Sequence, residues 1–338
     1  MDFLFTVVIF LIVAFIYVHV MHQYKKSEDM EIYEMDYSTN THLQEICDIR
    51  QPISFQLQPQ NKPSLKMEHL GSYEVRIKDV RDYDRAKNGT TVESIAMPYH
   101  SATTLMETDT NARFFTENND DFMEETGSAA TLSEIYDEYL KPAFTVRSHY
   151  DLLQGSKDAT TPLRYHTDAR KFHHVTSGKI RVKMTPWKSR KYLHPYKDME
   201  NYEFRSPMNP WKPQQEYLHD YDKTRFLEFD VHPGYMLYIP SYWWYSIEFI
   251  DNPIVYTMTY NTAMSYVANA PDLVLYFLQQ QNITKKISKA TEPTRLDESV
   301  PDNTPVVETA PAHSPQLLDE GFRLPVPGVT SIEQTLST

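Results

Sequence analysis

Two side chains at metal-ligand spacing, His166 and Asp168, are the first place in this chain to look for chemistry. In an extended strand residues i and i+2 share a face, so an imidazole and a carboxylate so spaced could grip one ion. Two histidines and one carboxylate on one side of a non-haem ferrous ion leave positions open for a co-substrate and oxygen. A His-x-Asp triplet is common by chance, so register and a third ligand must decide. His173 and His174 do not chelate together: as neighbours on a strand they face opposite ways and read as core or surface histidines. The sequence contains no nucleophile elbow and no phosphate-binding glycine loop, and has only eight glycines. The single cysteine, Cys47, cannot make an internal disulfide; it fits a reducing compartment and reads as a small buried residue.

The elements that must position such groups are strands. Residues 234–249 read as a strand from Tyr235 to Ile239, stopped by Pro240, then a tight aromatic turn and a second strand from Trp244. Proline cannot donate to a sheet ladder, and the Tyr, Trp and Ile around it favour strand. Residues 179–184 alternate Ile180, Val182 and Met184 against Arg181 and Lys183, and 226–231 and 254–260 alternate similarly. Dense short strands over 144–260 without a long helix predict a closed or double-sheet all-β domain. Before it, residues 27–130 read as polar and irregular with short strands at 49–55 and 73–77, and Thr131 and Glu134 as a capping box for a helix to Leu140. After it, 272–281 reads as a short amphipathic helix with Leu273, Phe277 and Leu278 on one side.

Residues 3–21 contain no full charge and match the ~20 apolar residues of a bilayer-spanning helix. Asp2 precedes this stretch while Lys25 and Lys26 follow it, which places the remainder on the cytosolic side of a single-pass membrane protein. The expected organisation is a transmembrane helix over 3–21, one domain over 22–284, and a disordered Thr-, Pro-, Glu- and Ser-rich tail over 285–338. A formal charge of -13 without a basic block argues against nucleic acid as a partner.

Several stretches together carry a family resemblance: 161–165, 178–186, 191–195, 203–211 and 240–247. They resemble the JmjC or cupin-like 2-oxoglutarate oxygenases, and in particular the degenerate, membrane-anchored type encoded by large DNA viruses, over roughly 30–282. The resemblance implies a mainly β fold, a double-stranded β-helix or jelly roll with a few flanking helices, behind one transmembrane helix. In that family the pattern Thr-Pro-x-His-x-Asp is followed by Gly-x-Lys and a closing proline, and the last ligand follows a Trp-Trp pair. Laid without gaps on Thr161, Pro162, Lys179 and Pro186, it puts Arg164 at the first histidine, His166 at the aspartate and Tyr245 at the last histidine. Making His166 and Asp168 the ligands instead requires compensated shifts within one strand, which would move its turns.

The expectation is therefore a membrane-anchored cupin-like protein that has lost its iron site. It would be a non-catalytic binding or structural module of a viral or virus-modified membrane, with neither metal nor cofactor. Its expected pocket comprises Thr161, Arg164, His166, Lys179 and Tyr245, with Thr161 and Lys179 keeping the family's means of holding a small anion, aided by Arg164 and Arg170. A protein partner is the other possibility. The alternative is an active Fe(II)- and 2-oxoglutarate-dependent hydroxylase using His166 and Asp168.

Overall fold

A computed structural model describes residues 2–59, 70–86 and 91–287, with side chains described from residue 3 to 281. The chain opens with helix α1 (Asp2–Gln23), followed by β1 (Tyr33–Asp36), α2 (Asn40–Cys47) and β2 (Ile53–Gln56). Next come β3 (Glu74–Asp79), α3 (Val80–Arg85), β4 (Ile95–Pro98), α4 (Tyr99–Thr108), β5 (Phe114–Thr116), α5 (Asp120–Glu125) and α6 (Ser128–Leu140). The strand-rich half follows with β6 (Thr145–Gly155), β7 (Arg164–Tyr165), β8 (Arg170–Ser177), β9 (Ile180–Thr185), β10 (Tyr196–Asp198) and β11 (Glu203–Arg205). It closes with α7 (Leu218–Tyr221), β12 (Leu227–Val231), β13 (Tyr235–Tyr238), β14 (Trp244–Phe249), β15 (Ile254–Thr262) and α8 (Ala263–Ile287).

Among the described residues the strands make two sheets, nine strands in the order β1-β2-β13-β8-β15-β6-β5-β3-β4 and six in the order β10-β11-β7-β14-β9-β12. The expected mainly β, double-sheet fold is what forms. Ile180, Val182 and Ile247 of the smaller sheet pack against Val175, Leu237 and Val255 of the larger one. The far face of the larger sheet is covered by α2, α4, α5 and α6, through Leu43, Met106, Phe122, Leu132 and Tyr136 against Phe55, Phe172 and Met258. The described residues between 27 and 130 are therefore more ordered than their composition predicts. Their helices are six to ten residues long, too short for a helical period to stand out.

Two helices differ from expectation at their starts. The first turn of α6 is entered through Gly127 at φ +68°, and the Thr131 hydroxyl donates back to the Gly127 carbonyl rather than capping. α8 begins nine residues before Asp272 and keeps Pro271 inside it. It survives the lost hydrogen bond because Asn269 and Asp272, on either side of the proline, are bonded to Thr167 and Lys197. Helix also continues to Ile287, past the expected tail boundary at 285; from 288 onward the expected tail lies outside the described residues.

The β8–β9 turn is set by Gly178 at φ +66°, where an added Cβ would stand 2.5 Å from the Asp251 carbonyl oxygen and 2.7 Å from Pro253 Cα. Both neighbours are backbone and cannot rotate away. Gly178→Ala is expected to lower unfolding free energy by about 2–4 kcal/mol, combining left-handed strain with overpacking. Chemical denaturation checks this, and a loss below ~1 kcal/mol would mean the turn yields freely.

Candidate functional site

The site lies between the sheets, where the short strand β7 meets β14 and β11. Arg164 pairs across the ladder with Tyr245 on one side and Arg205 on the other. Its guanidinium stands 5.6 Å from the Tyr245 ring centre and binds both carboxylate oxygens of Glu117, with Nη1 to Oε1 at 2.6 Å. Lys78 of β3 reaches Glu117 and Glu203, each at 3.0 Å, while Arg205 holds Asp198 at 2.8 Å and lies 3.3 Å from Glu203. Three cations and three carboxylates thus balance in a buried chain of ion pairs linking the two sheets. Burial alone would push the Glu117 carboxyl up, but Arg164 and Lys78 hold it well below the usual carboxylate range. Burial works against charge on Arg164 too, and Glu117 outweighs it, keeping the guanidinium cationic.

His166 adjoins this chain of charges. Its Nε2 lies 3.0 Å from the Ile239 carbonyl, which can only accept, so Nε2 carries the proton and Nδ1 presents a lone pair. That Nδ1 has no hydrogen-bond partner and lies 3.5 Å from an Asp168 oxygen. Burial, with Lys171 nearby, pushes the His166 pKa down to about 3, so the ring is neutral. Asp168 accepts from Asn261 at 2.8 Å and lies 3.7 Å from Lys171; burial raises its pKa, but the Lys171 charge and the Asn261 hydrogen bond bring it below its ordinary value. His173 contacts the Thr257 hydroxyl at 2.9 Å through Nδ1 and leaves Nε2 without a partner. His174 turns to the opposite face, to the Tyr136 hydroxyl at 2.6 Å, as strand parity predicts.

These groups line a cavity of about 120 Å³ that shares His149, Asp168, Lys171 and Tyr202 with an outer cleft of about 720 Å³. At roughly 30 Å³ of liquid volume per water, the inner cavity has room for a few waters or one small polar group. Of the five expected pocket residues, Arg164, His166 and Tyr245 line it together. Thr161 and Lys179 do not. The Thr161 hydroxyl accepts from the Ile247 backbone N–H at 2.9 Å, stitching the edge of β14, and the Lys179 ammonium pairs with Asp230 at 3.1 Å beside β12. The reason is parity: Ile180, Val182 and Met184 take the inward positions of β9, so 179, 181 and 183 look out. Arg170 is likewise occupied elsewhere, clamping α2 through Asp48 and Gln44. Glu117, Lys78 and Glu203 were not legible as site residues, whereas Lys171 and His173, two apart on β8, carried a parity signal.

The donor set does not fit a ferrous ion held by two histidines and a carboxylate. Among the described residues no three His, Cys, Asp or Glu side chains are grouped to hold one ion. The rung facing Tyr245 carries a guanidinium already paired with Glu117, a group with no lone pair to offer a metal.

The family description "Cupin-like domain" matches residues 50–267. Among solved structures, the X-ray structure of E. coli ycfD is similar over 82% of this chain, with 13% sequence identity and a TM-score of 0.43; the chain spans 66% of the length of that one. A search of curated proteins gives no match.

Proposed function

The chain belongs to the cupin-like domain family, and from that premise we propose that it is a membrane-anchored cupin in which an ion pair replaces the metal, leaving a non-catalytic binding module. The observation that carries this reading is the Arg164–Glu117 pair on the rung facing Tyr245. It fills with a neutralised salt bridge the position where the family resemblance expects a ligand. What the cavity offers instead is the Lys171 ammonium, the lone pair on His166 Nδ1, and the His173 Nε2 and Thr259 hydroxyl, both without partners. Buried polar atoms left unpaired favour occupation by something that hydrogen bonds. The ligand we assign is a small polar molecule with an acceptor, such as a carboxylate, for Lys171 and a donor for His166.

The anchor in this reading is α1, whose stretch Phe3–Gln23 contains an 18-residue window of mean hydropathy 2.8. The domain would face the cytosol, given Lys25 and Lys26, and the resemblance of its motifs points to a viral or virus-modified membrane. A hydroxylase using His166 and Asp168 has one observation in its favour, the 3.5 Å approach of His166 Nδ1 to the Asp168 carboxylate at the cavity wall. Anaerobic ferrous titration of the full chain in detergent micelles, then succinate measurement with 2-oxoglutarate and oxygen, decides between them. The expected result is no iron affinity tighter than about 1 mM and no succinate. Stoichiometric iron with turnover would overturn the proposal.

A further inference from the structure

Helix α8 is amphipathic the wrong way round for a helix packed on a soluble domain. Its polar side faces the protein: Asn269 donates to the Thr167 carbonyl at 2.9 Å, Asp272 binds Lys197 at 2.6 Å, and Gln280 donates to the Glu200 carbonyl at 2.7 Å. Tyr276 stacks edgewise on Tyr202, 5.4 Å away. Its outer side is apolar from Ala263 through Val267, Ala270, Pro271, Val274 and Leu278, residues three or four apart that form one stripe. Val267, Val274, Leu275, Phe277 and Leu278 are each half or more exposed. A soluble helix buries such a stripe.

Two further observations say what covers it. The stripe belongs to a helix in contact with α1, the span-length helix, and the Tyr24 hydroxyl at the base of α1 donates to the Ala268 carbonyl. The helix that carries the stripe thus packs against the span-length helix. Beside the same base lies a basic turn, Trp187–Tyr192, in a protein of formal charge -13. Its Lys188, Arg190 and Lys191 are exposed. Lys26 stands 4.1 Å over the Trp187 ring, which joins this turn to the lysines that follow α1. Lys188 is balanced by Glu28 at 3.3 Å, and Lys25 lies 3.3 Å from the Asp48 carbonyl; Arg190 and Lys191 make no carboxylate pair among the described residues. Cations beside an exposed apolar stripe suit a surface whose hydrocarbon begins just behind anionic phosphates.

We infer that α8 is a second membrane element, lying in the headgroup and acyl boundary of an anionic bilayer with its apolar stripe immersed and the 187–192 turn on the headgroups. This rests on α1 being a span and is independent of what the cavity binds. The domain is then held at two places, and its cleft, lined on one side by Asn269, Tyr276 and Gln280 of α8, opens at a fixed tilt close to the lipid surface.

The test uses the full chain in nanodiscs of phosphatidylcholine with phosphatidylserine. Cys47 is buried, and burial pushes its thiol up to about 12, so single added cysteines take a spin label selectively. Labels go at Ile12→Cys in α1, Val274→Cys in α8 and, as an aqueous reference, Ile95→Cys on β4. All three positions are exposed, so labelling leaves the packing intact. Collisional access to oxygen relative to a water-soluble nickel chelate is expected to be about tenfold higher at 274 than at 95, as for a site ~5–10 Å into the boundary. An aqueous ratio at 274 with a lipid ratio at 12 would overturn the inference while leaving the anchor standing; aqueous ratios at both would remove the anchor first. Exclusion of both reagents at 274 would mean that a second copy or another stretch of this chain covers the stripe, which also overturns it. Lys188→Glu, Arg190→Glu and Lys191→Glu together are expected to abolish the extra immersion that phosphatidylserine confers. If phosphatidylserine confers none, the charge assignment fails.

Discussion

Acidification from about pH 6.5 towards pH 4 is expected to cost the folded protein about 4 kcal/mol per pH unit, three imidazoles at ~1.4 each. His166, His173 and His174 are all held neutral by burial, with pKa values of about 3 for His166 and about 4 for His174, and well below the ordinary value of 6.5 for His173. The unfolded chain binds these protons below about 6.5 and the folded chain does not, so stability rises with pH across the window and falls as pH drops. The loss accumulated by pH 4 is about 10 kcal/mol, comparable with the whole ~5–15 kcal/mol stability of a folded domain, so the protein should be close to or past cooperative unfolding there. Glu117, whose folded pKa is depressed, acts in the same direction only later, below its unfolded value of 4.5. Denaturant unfolding of the full chain in micelles at pH 7, 6 and 5 gives the slope. His174→Gln, on the face away from the cavity, should reduce it by about a third. Equal stability at pH 7 and 5 would show that the three rings are solvated.

Glu117→Ala should be the most damaging single truncation in the site. It leaves Arg164 fully charged between the sheets with only Glu203 at 3.9 Å to answer it, and deprives Lys78 of one of its two carboxylates. Breaking a buried pair from one side costs about 3–5 kcal/mol, or roughly 10 °C in Tm for a domain of this size. The double replacement Glu117→Leu with Arg164→Met removes both charges, and should recover most of the loss, to within about 1–2 kcal/mol of the parent. A single variant costing under ~1 kcal/mol would mean that water reaches the pair. A double variant no better than the single would mean that Arg164 serves a further partner.

The β half was legible because strand parity is local. Pro240 does end β13, Trp244 does open β14, and the alternation over 180–184 does mark the inward face of β9. That alternation also contained the information that Lys179 looks outward; spacing copied from a resemblance concealed it. Glu117 had no comparable signature. It sits on the turn after β5, 47 residues from Arg164, and only the closure of the two sheets brings them together. The faces of α8 were misassigned for a related reason. Leu273, Phe277 and Leu278 do not share a side in the folded chain, since Phe277 and Leu278 are exposed while Leu273 turns to the outer cleft. An apolar stripe in a sequence says that a helix has two sides, and which of them meets the protein depends on what the protein offers.

The junction of β15 and α8 has a mechanical meaning. Thr262 ends the strand and Ala263 begins the helix, with no loop between them. Along the same strand, Thr257 holds His173 and Asn261 holds Asp168. A tug or tilt imposed on α8 therefore has no slack segment in which to dissipate. It runs as tension down one hydrogen-bonded strand, clamped on both edges by β6 and β8, and ends on the side chains that give the cavity its shape.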